Sequence, residues 1–319
     1  MIIVEIYVDD IIFGSDVDKL SKQFVECMKK YFEMFMLGEM KFFLGLQINQ
    51  SDKGIFISQT KYINEMLKKF QLDDSKPVGT PMVTGYKLRK YDESGNVEQT
   101  MYRSMIGSLL YATATRPNFM HSDCQVGRFQ ASPKASHLLA VKRIFRYIKG
   151  TTEYGLWYAK GRQLDLYDFT DVDWAGCIDE RNSTSGATFF LGGCLVRWSS
   201  KKQSAVSLST AQVEYITDAN SGAQVVWMKQ MLEDIHIHYD TPVHIYYDNT
   251  SAISISKNLV MHSKTKHIPI KFHFLRDQVL NKVIKLEYIG TKDQIADIFT
   301  KPLPKIQFEN LRDQLGVCS

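Results

Sequence analysis

From Leu164 onward the hydrophobic period of the chain keeps switching, and that switching limits the fold more than any other feature. Leu164 to Phe169 alternates apolar and polar residues, as a half-buried strand does. GATFFLGGCLVRWSS holds two further strands with a Gly192-Gly193 hairpin turn between them. SLSTAQVEYITDANSGAQVVWMKQMLEDI reads as a long helix, with Ser209 and Gln212 at the spacing of a capping box. VHIYYD is a fourth strand and NTSAISISKN opens a short helix; Lys282 to Tyr288 is a last strand and Asp293 to Phe299 a last helix. The order strand-strand-strand-helix-strand-helix-strand-helix calls for a mixed sheet with flanking helices, an α/β (α+β) class.

Four carboxylates fall one each on these segments. Asp171 ends the first strand, Glu214 lies in the first turn and a half of the long helix, Asp248 ends the fourth strand, and Asp297 sits on the last helix. Four clustered acids repel one another strongly unless divalent cations sit among them. Two Mg²⁺ or Mn²⁺ ions roughly 3.5–4 Å apart can activate a water and stabilise the leaving oxygen of a phosphodiester. The ordered set therefore points to metal-dependent nucleic-acid hydrolysis. Taken singly, each acid has an ordinary reading: Asp248 as a cap, Asp297 as a surface charge near a helix N-terminus. Asp173 and Asp179 are the local rivals of Asp171, and Asp173, two residues on and facing the same side, stays open as an alternative.

A chain of 319 residues is too long for one small core and suggests two or three domains. The net charge of +4 is mild, so local basic runs must carry any case for nucleic-acid binding. Five scattered cysteines without a CxxC pair argue against a zinc knuckle or a disulfide framework and for reduced, intracellular thiols. The apolar opening MIIVEIYV lacks a basic n-region and breaks at Asp9-Asp10, too soon to cross a bilayer; a buried strand fits better. The expected setting is the cytoplasm or nucleus, with no membrane partner, no small-molecule cofactor and no secretion.

Ile2 to Val8 and Ile11 to Phe13 read as a hairpin with two acids at its tip. Asp18 to Tyr31 is an amphipathic helix with Leu20, Phe24, Cys27, Met28 and Tyr31 on one stripe. LGEMKFFLGLQI gives a strand pair and GIFIS another strand. QTKYINEMLKKF is a helix with Tyr62, Ile63, Met66, Leu67 and Phe70 on one face. Residues 75–100 are turn-rich. In the helical stretch beyond them, Ser132 and Pro133 suit an N-cap and first helical position, and Gly150 a stop. Leu138, Val141, Ile144, Phe145 and Ile148 form its buried stripe, while Lys142, Arg143, Arg146 and Lys149 suit either a solvated face or phosphate contacts. His121 and His137 read as surface or packing residues; Trp174, Trp198 and Trp227 read as core.

YVDDIIFGSD, FFLGLQI, ISQTKYINEMLKKF and GTPM closely resemble copia-type retrotransposon Pol polyproteins, beginning inside the reverse transcriptase. The resemblance continues through DVDWAGCIDERNSTSGATFFLGG, VRWSSKKQSAVSLSTAQVEY, YYDNTSAISISKN, MHSKTKHIPIKFHFLRDQV and KDQIADIFTKPL, which resemble the family's ribonuclease H domain. It implies a partial reverse-transcriptase palm and thumb over 1–80, a mainly helical thumb and connection over 81–155, a ribonuclease H-like mixed sheet over 156–303, and a tail over 304–319. By the same match Asp9 and Asp10 would be a vestigial polymerase metal pair, and Phe43, Leu44 and Gly45 a primer grip. Asp171, Glu214, Asp248 and Asp297 would hold two ions. A third palm aspartate and the fingers are missing, so polymerisation is expected to be lost by N-terminal truncation. The expected activity is hydrolysis of the RNA strand of an RNA–DNA hybrid, with other Pol fragments as further possible partners. The alternative is an inactive nucleic-acid-binding remnant or a non-functional transposon relic. Ser199, Ser200, Lys201, Lys202 and Gln203 are expected to form a basic loop for a phosphate. Lys264, Lys266, His267, Lys271 and His273 form a second basic cluster, and Arg116 and Arg128 favour phosphate contacts by the helix of Lys142. Residues 156–319 hold every element of the nuclease unit and are expected to fold alone.

Overall fold

The computed structural model describes residues 1–174, 176, 179, 181–203, 210–239, 241–250 and 274–319, without the side chains of 210–216 and 218. The chain divides into two compact units, Met1–Phe43 and Leu44–Ser319.

In the first unit β1 (Ile2–Tyr7) and β2 (Asp10–Ser15) pair antiparallel from Ile2↔Ser15 to Tyr7↔Asp10. Val8 and Asp9 make the turn between them, Val8 in the left-handed region at φ 51°. α1 (Asp18–Tyr31) spans the residues that its apolar stripe marks out, and Phe24 packs on Phe13 with ring centroids 5.0 Å apart. β3 (Phe42–Phe43) ends the unit. No residue of α1 is fully buried, and Tyr31, Phe32, Phe35, Leu37 and Phe42 are exposed.

The second unit opens with the hairpin β4 (Leu46–Ser51) and β5 (Gly54–Ser58), followed by α2 (Thr60–Lys69). A stretch of turns and coil leads to α3 (Gln99–Ala112), whose first amides donate to the Glu98 carboxylate. A 3-10 turn at Pro117–Phe119, α4 (Met120–Gly127) and α5 (Ala135–Lys149) follow. α5 starts later than Ser132-Pro133 suggests. The Lys134 amide donates to His137 Nδ1 at 3.0 Å, and that ring is fixed by a 2.8 Å contact with Arg89 O and by stacking on Phe129. Side-chain packing of His137 thus outweighs the local preference of Ser-Pro. Val141, Ile144, Phe145 and Ile148 are buried with Ile63 and Leu67 of α2 and Tyr102 and Leu109 of α3.

β6 (Gly155–Ala159) pairs with β5, and then come β7 (Leu166–Asp173), β8 (Thr184–Leu191) and β9 (Cys194–Lys202). The β8–β9 turn is Gly192-Gly193 with φ of 61° and 74°, the left-handed pair a two-residue hairpin needs. α6 (Thr210–Asp234), β10 (Val243–Tyr247), α7 (Phe274–Leu280) and β11 (Ile284–Tyr288) complete the larger sheet's surroundings. Two 3-10 turns, Thr291–Asp293 and Ile295–Phe299, stand where an α-helix is expected over Asp293 to Phe299. α8 (Lys305–Gln314) and β12 (Val317–Cys318) end the chain, and β12 pairs with β6.

The larger sheet has the order β11-β10-β7-β8-β9. β7–β8 and β8–β9 are antiparallel; β7–β10 and β10–β11 are parallel. Strand alternation sends Phe189 to one face and Phe190 to the other. Phe189 joins Leu166, Val225 of α6 and Leu275 of α7 in one core. Phe190 and Phe169 join the second core, which also takes in Ile63, Phe145, Phe299, Phe308 and Leu311. That second core runs without a break from α2–α5 to α8.

Three further expectations need correction. Ser199 to Lys202 form no loop: they extend β9, with Lys201 opposite Ser185 and Lys202 opposite Thr184. Trp174 and Trp227 are exposed, at 49% and 52%, and only Trp198 packs on a core. Arg116 is fully buried and donates to Thr151 O and Oγ1, so it is no surface phosphate contact.

Candidate metal centre

Asp171 lies on β7, two residues before the strand's end at Asp173. The parallel register of β7 with β10 matches Tyr246 to Phe169, and continuing it by two residues brings Asp248 level with Asp171. Asp248 directly follows β10, so both carboxylates stand at the same edge of adjacent parallel strands.

Asp297 arrives from a third direction, on the 3-10 turn Ile295–Phe299. Gln294 anchors this turn to the sheet: its Nε2 donates to Thr170 O at 3.0 Å, and its Oε1 accepts from the Ala296 amide at 3.2 Å. The turn lies so close to β8 that a methyl added at Gly186 would meet Phe299 Cβ and Thr300 Cγ2, each at 2.8 Å. Gly186 is the residue opposite Asp171. The absence of a side chain there is what lets Asp297 approach Asp171.

Together, Asp171, Asp248 and Asp297 place one carboxylate oxygen each within 4.8 Å of the others. Thr300 Oγ1 donates to Asp171 Oδ2. Lys301 Nζ lies 2.8 Å from Asp297 Oδ1 and 3.7 Å from Asp171 Oδ2. Asp297 is 1% exposed, and its Oδ1 accepts no hydrogen bond of good geometry. Burial first, then the charge of Asp171, pushes the Asp297 carboxyl up to about 7. The same two causes raise Asp248, against a hydrogen bond from Thr291. Burial would lower Lys301, but Asp171 and Asp297 outweigh it and hold the ammonium above its ordinary range. Three hard oxygen donors converging on one point, one of them buried without a full complement of hydrogen bonds, suit a hard divalent cation.

Of the fourth acid, Glu214 falls in the second turn of α6, and its side chain lies outside the described residues. The same holds for the Ser209–Gln212 capping pair, NTSAISISKN beyond Thr250, and Lys264, Lys266, His267, Lys271 and His273. Asp173 is half-buried beside the trio and is raised by burial. Asp179 instead accepts from the Lys90 amide at 2.7 Å and lies outside the trio.

Asp168 is the acid that the pattern of the sequence did not single out. It sits on β7 three residues before Asp171 and therefore faces the other side. There it is wholly buried, accepts from Ser221 Oγ and the Thr188 amide, and is pushed well above the carboxylate range by burial. It ties α6 to the sheet. In a strand that alternates apolar and polar residues, nothing local distinguishes Asp168 from a solvent-facing acid.

The basic residues divide. On α5, Lys142 is exposed and Lys149 half-buried, whereas Arg143 donates to Thr80 Oγ1 at 2.9 Å and Arg146 to Lys76 O at 2.7 Å. Those two arginines hold the 76–80 segment. Arg128 donates to Thr184 Oγ1 at 3.0 Å, and Lys201 is exposed on β9. His121 is buried with Nδ1 3.2 Å from Phe299 O and, lowered by burial to about 3, stays neutral behind the site. In the first unit Asp9 and Asp10 are exposed at the hairpin turn. Phe43 ends that unit, while Leu44 and Gly45 open the second with φ of 49° and 77°.

Residues 1–84 match the family described as "Reverse transcriptase (RNA-dependent DNA polymerase)". Over 98% of its length the chain is 36% identical to the "Retrovirus-related Pol polyprotein from transposon RE1" of Arabidopsis thaliana, and covers 21% of that protein. It is 37% identical over its whole length to the corresponding polyprotein from transposon TNT 1-94 of Nicotiana tabacum, covering 24%. An uncharacterized mitochondrial protein of Arabidopsis thaliana is 34% identical over 70% of the chain and 92% of its own length. The chain thus spans between a fifth and a quarter of the two polyproteins.

Proposed function

Because the chain belongs to the copia-type retrotransposon Pol polyproteins, we propose that its larger sheet forms a ribonuclease H-like domain that hydrolyses the RNA strand of RNA–DNA hybrids with divalent metal. The convergence of Asp171, Asp248 and Asp297 from two parallel strands and a separate turn carries this reading. The sheet order β11-β10-β7-β8-β9, three antiparallel strands followed by two parallel ones, supports it.

Asp171, Asp248 and Asp297, with Glu214 as the fourth donor, would hold Mg²⁺ or Mn²⁺, two ions in the full site. Bound metal would supply an activated water and charge neutralisation at the leaving oxygen. The chain's own residues supply the rest. Asp171 and Asp248 face the same point because adjacent strands present them in register. Thr300 orients the Asp171 carboxylate, and Gln294 and Gly186 hold Asp297 against the sheet. Lys142, Lys149, Lys201 and Lys202, with Lys264 and Lys266, would contact the phosphates of the hybrid, and 2′-hydroxyl contacts would select RNA. Arg143 and Arg146 contribute to that surface only through the backbone segment that they hold. Asp9 and Asp10, with Phe43, Leu44 and Gly45, would be the polymerase metal pair and primer grip of the reverse-transcriptase segment.

The test uses an end-labelled hybrid and the amide variants Asp171→Asn, Glu214→Gln, Asp248→Asn and Asp297→Asn. Each should cut at least about a hundredfold more slowly than the unchanged chain, because each removes a metal donor. Asp173→Asn should cut nearly as fast. If Asp173→Asn is inactive and Asp171→Asn active, the assignment moves two residues along β7.

A further inference from the structure

Lys301 stands four residues after Asp297, and its amide donates to Asp297 O at 3.1 Å, so the turn itself fixes where its side chain begins. From there Nζ reaches 2.8 Å from Asp297 Oδ1 and 3.7 Å from Asp171 Oδ2. The ammonium thus occupies space between two carboxylates that a divalent cation would share. Its side chain is 36% exposed, while those of Asp171 and Asp297 are 6% and 1% exposed. It enters from the rim of the site and has a way back to solvent. Burying two carboxylates beside each other without a cation is costly, and an ammonium close to both lowers that cost through its charge.

We propose that Lys301 is a built-in counter-ion of the acidic site, which holds Asp171 and Asp297 together when no metal is bound and competes with divalent cations for their oxygens. The inference rests on the reading of Asp171, Asp248 and Asp297 as metal ligands. With Asp171, Asp248 and Asp297 ionised, one ammonium cancels one of their three negative charges, before Glu214 is counted. Entry of a first ion then meets a site already partly neutralised, and the lysine swings outward or shares the carboxylates at reduced attraction. Metal affinity is lower than the three acids alone would give, and the site survives without metal.

Calorimetric titration with MgCl₂ and MnCl₂, and thermal unfolding in EDTA, would be run on the full chain, Lys301→Gln, Lys301→Met and Lys301→Arg. The neutral variants should bind metal roughly tenfold or more tightly, because an ammonium a few ångströms from the ion repels it. They should also melt lower than the unchanged chain in EDTA and regain more on adding Mn²⁺. Lys301→Arg keeps the charge and should follow the unchanged chain in both measurements. Neutral variants that fold only with metal present would bear the proposal out in its strongest form. Unchanged or weaker metal binding by both neutral variants, with the unchanged chain binding normally, would overturn it and leave the metal site standing. A shift in Lys301→Arg as large as that in Lys301→Gln would overturn it too, since the effect would then come from packing. If neither the unchanged chain nor any variant binds metal, the metal-site reading fails and this inference with it.

Discussion

Asp297 shows how one residue records the chemistry of its surroundings. Its carboxyl is pushed from an ordinary 3.8 up to about 7, first by burial and then by Asp171. A raised folded-state pKa means that the native protein binds more protons than the unfolded chain between those two values, so stability falls as pH rises through them. The metal-free protein should therefore melt higher at pH 5 than at pH 8 in EDTA. Asp297→Asn should flatten that slope, because an amide cannot ionise. Mg²⁺ should stabilise little below pH 6 and increasingly above pH 7, as the carboxylate becomes free to bind. A melting temperature in EDTA that rises from pH 5 to pH 8 would run against this account. Asp171, Asp248 and Asp297 were legible in the sequence only as an ordered set matching the copia-type family, since each acid taken singly has an ordinary reading. Lys301 and Thr300 were not, since nothing local distinguishes a lysine that folds back on its own turn from one in solvent.

Among the elements, the turn Ile295–Phe299 was read correctly in place and wrongly in kind. An apolar stretch bearing one acid looks the same as an α-helix or as 3-10 turns; Gln294, bonded to Thr170 O, decides in favour of the latter. β9 tells a similar story. Ser-Ser-Lys-Lys is polar enough for a loop, but the ladder to β8 continues through it because backbone bonds do not depend on side-chain polarity. Gly186 is the position where these elements meet. Gly186→Ala should destabilise the protein by about 1–3 kcal/mol, as overpacking does, and weaken metal binding by moving Asp297. Denaturant unfolding and calorimetry would read the two effects, and unchanged values in both would remove the glycine from the account.

At the scale of the whole molecule, the hairpin, α1, α2 and the helix-rich middle were legible because their apolar spacing is regular. The sharing of one core between the middle and the C-terminal helix was not, since long-range packing leaves no local pattern. Ile63, Tyr102 and Phe145 pack in the same core as Phe299, Phe308 and Leu311, and β6 pairs with β5. Residues 44–319 should accordingly unfold as one cooperative transition. Against the expectation that residues 156–319 fold alone, that fragment, stripped of α2–α5 and β5, should be markedly less stable or aggregate; equal melting temperatures for the two would show that the shared core adds nothing. In the first unit, Asp9 and Asp10 are exposed, and among the described residues the trio at Asp171 is the acidic group whose oxygens lie close enough together to hold a metal ion.

The most direct test of the central claim compares four labelled substrates of one sequence, namely the RNA–DNA hybrid, duplex RNA, duplex DNA and single-stranded RNA, incubated with the full chain and Mn²⁺. Cleavage should be confined to the RNA strand of the hybrid and abolished by EDTA and by Asp297→Asn. A folded chain that binds the hybrid in Mn²⁺ and leaves it intact, or that cuts the DNA strand as readily as the RNA, would contradict it.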